Sequence, residues 1–349
     1  MKFFSIKNIP AFRKKYVHLL TLLFFITPLV LNAQNKKIAQ TGFQFLTVGT
    51  NARAVALGEA FTTVESGSNS LFYNPAGMAS PNTFLDVSFN SMGWIADINY
   101  LSGTVGLNFE GGKYGVFGIS FLNVDYGDFL FTRVSSTSES GYEDITSGVS
   151  EPYAFSIGLG YAIQLSDKFS IGGQIKYVKQ SLGASEIPVY EGIGNIVGVD
   201  QKQYDLSVFA FDFGTIYKTG FKSLVFGMSV RNFSEEVKYE KEGFQLPLSF
   251  RIGISVDAFD FIESLGPEHS LLIIADAVHP RSFPEYLSFG GEYVFMNLLS
   301  LRAGYVFGQD LYDFTAGFGI RKFGFELDYS FTPYFEFKDI HRFSVAFSL

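Results

Sequence analysis

The stretch YAFSIGLGYAIQL, residues 153–165, changes character at every position. Tyr153, Phe155, Ile157, Leu159, Tyr161, Ile163 and Leu165 fall on one side of an extended chain, and Ala154, Ser156, Gly158, Gly160, Ala162 and Gln164 on the other. A period of two marks a strand, because successive side chains point to opposite faces of a pleated backbone. The run exceeds the ~5–6 residues of an ordinary strand and reaches the ~9–11 that a tilted strand needs to cross a bilayer. FGFELDYSF (323–331) repeats the pattern, with Phe323, Phe325, Leu327, Tyr329 and Phe331 opposite Gly324, Glu326, Asp328 and Ser330. RFSVAFSL (342–349) closes the sequence with Phe343, Val345, Phe347 and Leu349 on one side.

Alternation alone also describes a soluble β-sandwich. Two further features turn the reading toward a closed transmembrane barrel. The first is number: strands are expected near 84–91, 97–109, 113–124, 152–165, 168–182, 203–218, 221–233, 246–258, 269–279, 284–295, 298–307, 311–320, 322–331 and 339–349. That is fourteen, an even number, as single-chain outer-membrane barrels of bacteria have. The second is the sorting of connections by parity. The segments 92–96, 125–151, 183–202, 234–245, 280–283, 308–310 and 332–338 form one set. The segments 110–112, 166–167, 219–220, 259–268, 296–297 and the Arg321-Lys322 junction form the other, and they are short except for 259–268, where a helical turn fits. Long external loops alternating with short periplasmic turns are the habit of such barrels. The predicted fold is therefore all-β, a 14-stranded antiparallel transmembrane barrel over 81–349.

Composition agrees. Among 349 residues there are 41 Phe, 19 Tyr and 36 Gly, and only 17% are charged; aromatics suit pleated surfaces and Gly suits turns. Cysteine is absent, which removes disulfides, thiolate metal sites and a Cys nucleophile. Residues 1–33 combine Lys2, Lys7, Arg13, Lys14 and Lys15 with an apolar run from Val17 to Leu31 that contains Pro28, and small residues precede Gln34. This is the layout of a secretion signal, and the run is short for a membrane-spanning helix. Its removal takes five basic residues and no acidic one from a chain whose formal charge is already −8. A more acidic mature chain argues against nucleic acid as a partner.

Between the leader and the first strand, residues 34–80 are rich in small residues. Asn51 is placed to cap a short helix running to about Phe61, with Ala52, Ala54, Ala56 and Ala60 small enough to pack against a wall. Asn74-Pro75 marks a turn and Gly77 gives backbone freedom. The segment is either a hatch folded into the lumen or an arm that precedes the barrel.

FLTVGTNARAVALGEAFTTVESGSNSLFYNPAGMA (45–79) resembles the N-terminal signature of the PorV/PorQ family of outer-membrane proteins, at Gly49, Asn51, Ala52, Arg53, Ala54, Gly58, Asn74, Pro75, Ala76 and Gly77. That family is similar to the FadL class of fourteen-stranded barrels, whose N-terminal hatch also ends in Asn-Pro-Ala. GGEYVF (290–295), LRAGY (301–305), LDYSF (327–331) and HRFSVAF (341–347) fit it as well. The resemblance implies the type IX secretion system of Bacteroidota, where PorV-type barrels carry cargo with a C-terminal sorting domain from the translocon to the attachment machinery. The alternative is a FadL-like channel for uptake of a hydrophobic small molecule; a third reading is a structural barrel within a larger complex. The partners implied are outer-membrane lipid, the translocon and attachment proteins, and secreted cargo.

No catalytic pattern is evident. His18, His269, His279 and His341 have no ligand spacing, and neither a G-x-S-x-G elbow nor a phosphate loop is present. His341 near Ser344 is the single near-sequence pair worth weighing for acyl transfer. No enzyme activity and no cofactor or metal is expected. Gly172-Gly173 reads as close strand packing. Arg53 and Arg302 either fix the hatch to Glu326 and Asp328 or are ordinary lumen charges. Two external segments carry apolar groups available to a partner: Phe129, Leu130 and Phe131 within the acidic 124–152, and Ile187, Val189, Ile193, Ile196 and Val197 within 183–200. Each is otherwise a solvated loop or a cover for the barrel mouth.

Overall fold

The computed structural model describes residues 41–79, 83–128, 132–134, 142–144, 152–191, 195–261, 266 and 268–349. Fourteen strands build the wall: β1 Leu85–Gly93, β2 Asn99–Asn108, β3 Val116–Asp125, β4 Tyr153–Ser166, β5 Phe169–Glu191, β6 Asn195–Lys218, β7 Val225–Ser234, β8 Ser249–Asp257, β9 His269–Pro280, β10 Tyr286–Phe295, β11 Leu299–Phe307, β12 Phe314–Lys322, β13 Phe325–Thr332 and β14 Ile340–Ser348. Each pairs antiparallel with the next, and β14 returns to β1, with Asp86 opposite Ser348 and Met92 opposite Arg342. Closure leaves no unpaired strand edge in lipid. Among the described residues no helix is long and apolar enough to span a membrane.

The alternation sets the two faces. Along β4, Tyr153, Ile157, Leu159, Tyr161 and Leu165 are exposed on the outer wall while Ala154, Ser156, Gly158, Gly160 and Ala162 are buried inside. Aromatic rings mesh across strands on the outer wall, as in Phe109–Phe117 (6.4 Å) and Phe117–Tyr161 (5.0 Å) beside the β2–β3 turn. His341 donates to or accepts from Tyr329 Oη at 2.7 Å on this exposed face, whereas Ser344, three positions on, is buried in the lumen. An odd spacing on a strand puts the two on opposite faces, so they form no catalytic pair.

The structure differs from expectation in three places. β5 and β6 do not stop at 182 and 203 but run on to Glu191 and from Asn195, so most of the segment expected as a loop is a two-stranded ribbon, with pairs from Ala184↔Gln203 to Glu191↔Asn195 beyond an irregularity at Ser181/Ala184. Its β-branched residues support pairing as well as loop exposure. Two short ladders, Thr132–Val134 with Tyr142–Asp144 and Val237–Lys238 with Gly243–Phe244, lie inside other expected loops. The hatch helix, α1, covers Ala52–Ala56 and stops short of Phe61. Gly58 and Glu59 take left-handed φ values of 66° and 59°, which end a helix directly.

Residues 41–79 occupy the lumen. Ala52, Ala54, Ala56, Leu57, Ala60 and Phe61 are essentially without exposed surface. Three 3₁₀ turns, Gln44–Thr47, Gly67–Phe72 and Pro75–Met78, complete the segment. The hatch alternative of the two sequence readings therefore holds. Its apolar side chains pack as one cluster around Leu57, Phe61, Val64, Tyr73 and Ile274 and another around Leu71, Met78 and Val116.

Candidate functional site

The wall is cut to the shape of the hatch. A β-carbon at Gly290 would lie 2.7 Å from the Leu57 carbonyl oxygen, one at Gly227 2.6 Å from that of Thr62, and one at Gly172 2.5 Å from the Pro75 carbonyl carbon. Gly304 meets the Gly58 amide and Gly214 the Asn74 side chain still more closely. Real β-carbons do not approach so near, so only glycine lets hatch backbone lie against strand backbone. The Gly172-Gly173 pair divides accordingly: Gly172 receives Pro75 and Ala76, and Gly173 turns to the Phe213 ring on the outer face.

Polar groups then fix this contact. Asn51 caps α1 by accepting from the Ala54 amide (2.9 Å) and donates to Asn90 Oδ1 (3.1 Å). The Ala52 amide donates to Ser344 Oγ (2.8 Å) and the Gly58 amide to Thr315 Oγ1 (3.0 Å). Asp276 Oδ2 on β9 accepts from the amides of Phe61 (2.9 Å) and Thr62 (3.0 Å) and from the Thr62 hydroxyl (2.6 Å). Asn74 donates to the carbonyls of Thr62 (2.6 Å) and Thr215 (3.1 Å) and accepts from the Ala76 amide (3.2 Å), with Pro75 opening the turn behind it. Gly77 sits against Ser70 and Val64, where a β-carbon would come within 2.7 Å of both.

Arg53 forms a bidentate pair with Glu292, at 2.8 and 2.6 Å. This corrects the partners expected for Arg53; Arg302, a wall residue, does hold Glu326 and Asp328, at 3.5 and 2.6 Å, and also reaches Glu292 at 2.5 Å. Arg321 joins through Glu326 at 2.6 Å. Three arginines and three carboxylates thus balance at the end of the barrel that carries the short turns. Glu292 falls in inward phase with Ser288 and Gly290, so the alternation contains its orientation; its partner, 239 positions away, is set only by barrel closure.

The opposite end, where the long connections emerge, holds a cavity of about 480 Å³. Its floor is the hatch, from Leu46 to Gly49 with Glu59, and its walls carry Trp94, Tyr286, Tyr312 and Tyr334. Trp94 and Tyr334 meet edge to face at 5.3 Å, and Tyr312 and Tyr334 lie 5.2 Å apart. Burial raises the Tyr312 and Tyr334 phenols above their ordinary values, so both remain neutral donors. Arg231, Arg251 and Arg342 line the same space. Arg251 donates to the Glu59 carbonyl (3.0 Å) and carboxylate (3.1 Å). Arg342 donates to the Gly49 carbonyl (2.9 Å) and Thr332 Oγ1 (3.0 Å), with its guanidinium 5.5 Å from the Trp94 ring. None of these arginines was singled out by sequence, although each is a charge on a strand's small-residue face.

Of the other sequence-predicted partner residues, Val189 is exposed near the tip of the β5–β6 ribbon, and Ile187 lies on the same β5 extension. Phe129, Leu130, Phe131 and Ile193 fall outside the described residues.

A family model for the type IX secretion system protein PorV matches residues 31–268, most of the sequence. No curated protein sequence matches significantly. Among solved structures, the toluene transporter TbuX of Ralstonia pickettii is similar at 12% identity and a TM-score of 0.58, covering 86% of this chain and 98% of that one. The toluene transporter TodX of P. putida gives 12%, 0.55, 86% and 99%, and a FadL homologue of Pseudomonas aeruginosa 11%, 0.54, 86% and 99%. At such identities the likeness establishes a common fold, a FadL-like barrel. With that fold, the family match over hatch and wall places the chain: it belongs to the family of the type IX secretion system protein PorV, an outer-membrane barrel of fourteen strands with its own N-terminal segment inside it.

Proposed function

We propose that this barrel is a carrier for secreted cargo of the type IX system, holding proteins with a C-terminal sorting domain at its outer surface and passing them from translocon to attachment machinery. The observation that carries this reading is the fit of hatch to wall. Backbone lies on glycine, ion pairs and buried hydrogen bonds secure both ends, and a plug so fixed leaves partner binding to the outside. The β5–β6 ribbon, extending beyond the last β4 pair at Tyr153↔Ser181, supplies an exposed surface for it, and the acidic sequence of 124–152 is a second candidate. The matched family supports secretion components and cargo as partners.

The hatch is proposed to span 34–80 and the barrel 81–349, with 1–33 removed on export; N-terminal sequencing of the mature protein should then begin at Gln34. A second reading, passage of an apolar small molecule, is favoured by the aromatic outer cavity alone. Affinity purification of a tagged copy from native outer membranes separates the two. Recovery of sorting-domain proteins or translocon components supports the carrier; recovery of a hydrophobic ligand with no protein partner overturns it.

A further inference from the structure

We propose that the outer cavity is a binding site for a small aromatic carboxylic acid, its carboxylate taken by Arg231 and Arg251 and its ring held among Trp94, Tyr312 and Tyr334. This lies beyond cargo carrying and does not rest on it.

The charges at the two ends of the lumen motivate the assignment. At the short-turn end every arginine has a carboxylate within reach. In the depth of the outer cavity Arg231, Arg251 and Arg342 have Glu59 as the one acid lining it beside them. Asp276, close enough to act on Arg251, is not among the lining residues and is held by the Phe61 and Thr62 amides; Arg281 and Asp310 line the cavity but stand exposed at its rim. Arg231 has no carboxylate within 4 Å among the described residues, and the nearby Asp212 is engaged by Lys176 at 2.7 Å. The guanidinium instead lies 5.7 Å from the Tyr73 ring. The Nε–H groups of Arg231 and Arg251 are both buried with no acceptor, and Arg251 is 4% exposed. A buried charged donor without an acceptor is costly. Arg231, whose guanidinium has no hydrogen-bond acceptor among the described residues, and Arg251, whose two terminal nitrogens are on Glu59 while its Nε–H stays unmet, stand beside one cavity and point to an anionic oxygen pair as the missing acceptor. Guanidinium geometry suits a carboxylate bidentately.

The rest of the ligand follows from the walls. Rings meeting at 5.2–5.3 Å present flat apolar faces and edges, which favour offset or edge-on contact with another ring. The cavity volume, about 480 Å³, falls within the ~300–1,000 Å³ of small-molecule sites. Neutral phenols add donors without adding negative charge.

The test is calorimetric titration of the full-length protein in detergent with indole-3-acetate and with its uncharged twin, indole-3-acetamide. The acid should bind and the amide should bind at least about ten-fold more weakly, as expected when a charge-assisted pair is lost. Arg231→Gln should weaken the acid by about ten-fold or more and leave the amide unchanged, whereas Lys113→Gln, in the exposed β2–β3 turn, should alter neither. Arg231 holds no side-chain hydrogen bond whose loss would unfold the barrel; should R231Q still fail the heat-shift test for a folded barrel, Arg231→Lys, which keeps the charge and loses the planar fork, should also weaken the acid and leave the amide unchanged. Equal binding of acid and amide, no binding of either at millimolar concentration, or an Arg231 variant that binds the acid as the parent does would each overturn the assignment.

Discussion

Asp276 is the sharpest handle on the hatch. One of its carboxylate oxygens holds the Phe61 and Thr62 amides and the Thr62 hydroxyl, all within 3.0 Å, and Asp276 is 1% exposed. Replacing Asp276 with Ala orphans two backbone donors in a dry environment, at about 1–3 kcal/mol each. The hydroxyl can turn to another acceptor, and the burial of one carboxylate is relieved, which offsets part of the loss. A net weakening of about 2–5 kcal/mol at residues 59–64 follows. Hydrogen exchange followed by mass spectrometry reads this directly, since each 1.4 kcal/mol is about ten-fold in an opening equilibrium. Amides of 59–64 should exchange between about 30-fold and 5,000-fold faster in D276A, while those of the β11–β12 wall stay as they are. Unchanged exchange at 59–64 would refute the claim that this carboxylate pins the hatch.

Other perturbations follow from the same contacts. Glu292→Gln, which leaves Arg53 without its carboxylate and Arg302 with only Glu326 and Asp328, should lower the heat-shift midpoint of the barrel more than Arg53→Gln, which leaves Glu292 still paired to Arg302. Gly172→Val forces a side chain into the Pro75–Ala76 backbone; an overpacking cost of about 1–3 kcal/mol should appear as raised single-channel conductance in planar bilayers, where the parent protein should be nearly silent. Excising 184–202 removes only ribbon beyond the wall, so the barrel should fold and heat-shift normally while copurifying cargo is lost.

Much of this fold was legible because its main determinant is local. Strand alternation needs only neighbours, so all fourteen wall strands could be read from runs such as 153–165, and the parity of connection lengths gave the two ends. The ribbon was missed because its residues satisfy the rule for an exposed loop and for a strand equally well. Gly172 could be recognised as a place of close approach, but what approaches is Pro75, nearly a hundred positions earlier. The pairing of Arg53 with Glu292 rather than Asp328 was hidden for a related reason. Periodicity says that a charge faces inward; only the closed circumference says which inward charges meet. The outer arginines carried a signal of that kind as well, since Arg251 shares its face with Gly253 and Ser255, yet a single inward charge looks the same whether it is neutralised or not.

That difference between the ends yields a last prediction. Near the short turns, Arg302 is 4% exposed and bound to Glu292, Glu326 and Asp328. Near the long loops, Arg231 lines an open cavity without a carboxylate of its own. Removing the first charge leaves three acids to two arginines, with Asp328 unpaired beside Glu326, where repulsion is weakly screened; removing the second leaves no broken bond and relieves repulsion from Arg251. Arg302→Gln should therefore destabilise the hatch and accelerate exchange at 52–59, with little effect on what the outer cavity binds at temperatures where the barrel is intact. Arg231→Gln should leave that exchange unchanged, or slow it, and act on ligand binding alone. If both substitutions loosened the hatch equally, the outer arginines would be structural partners of the plug like those below, and the division of the lumen into a neutralised lock and a cationic receptor would fail.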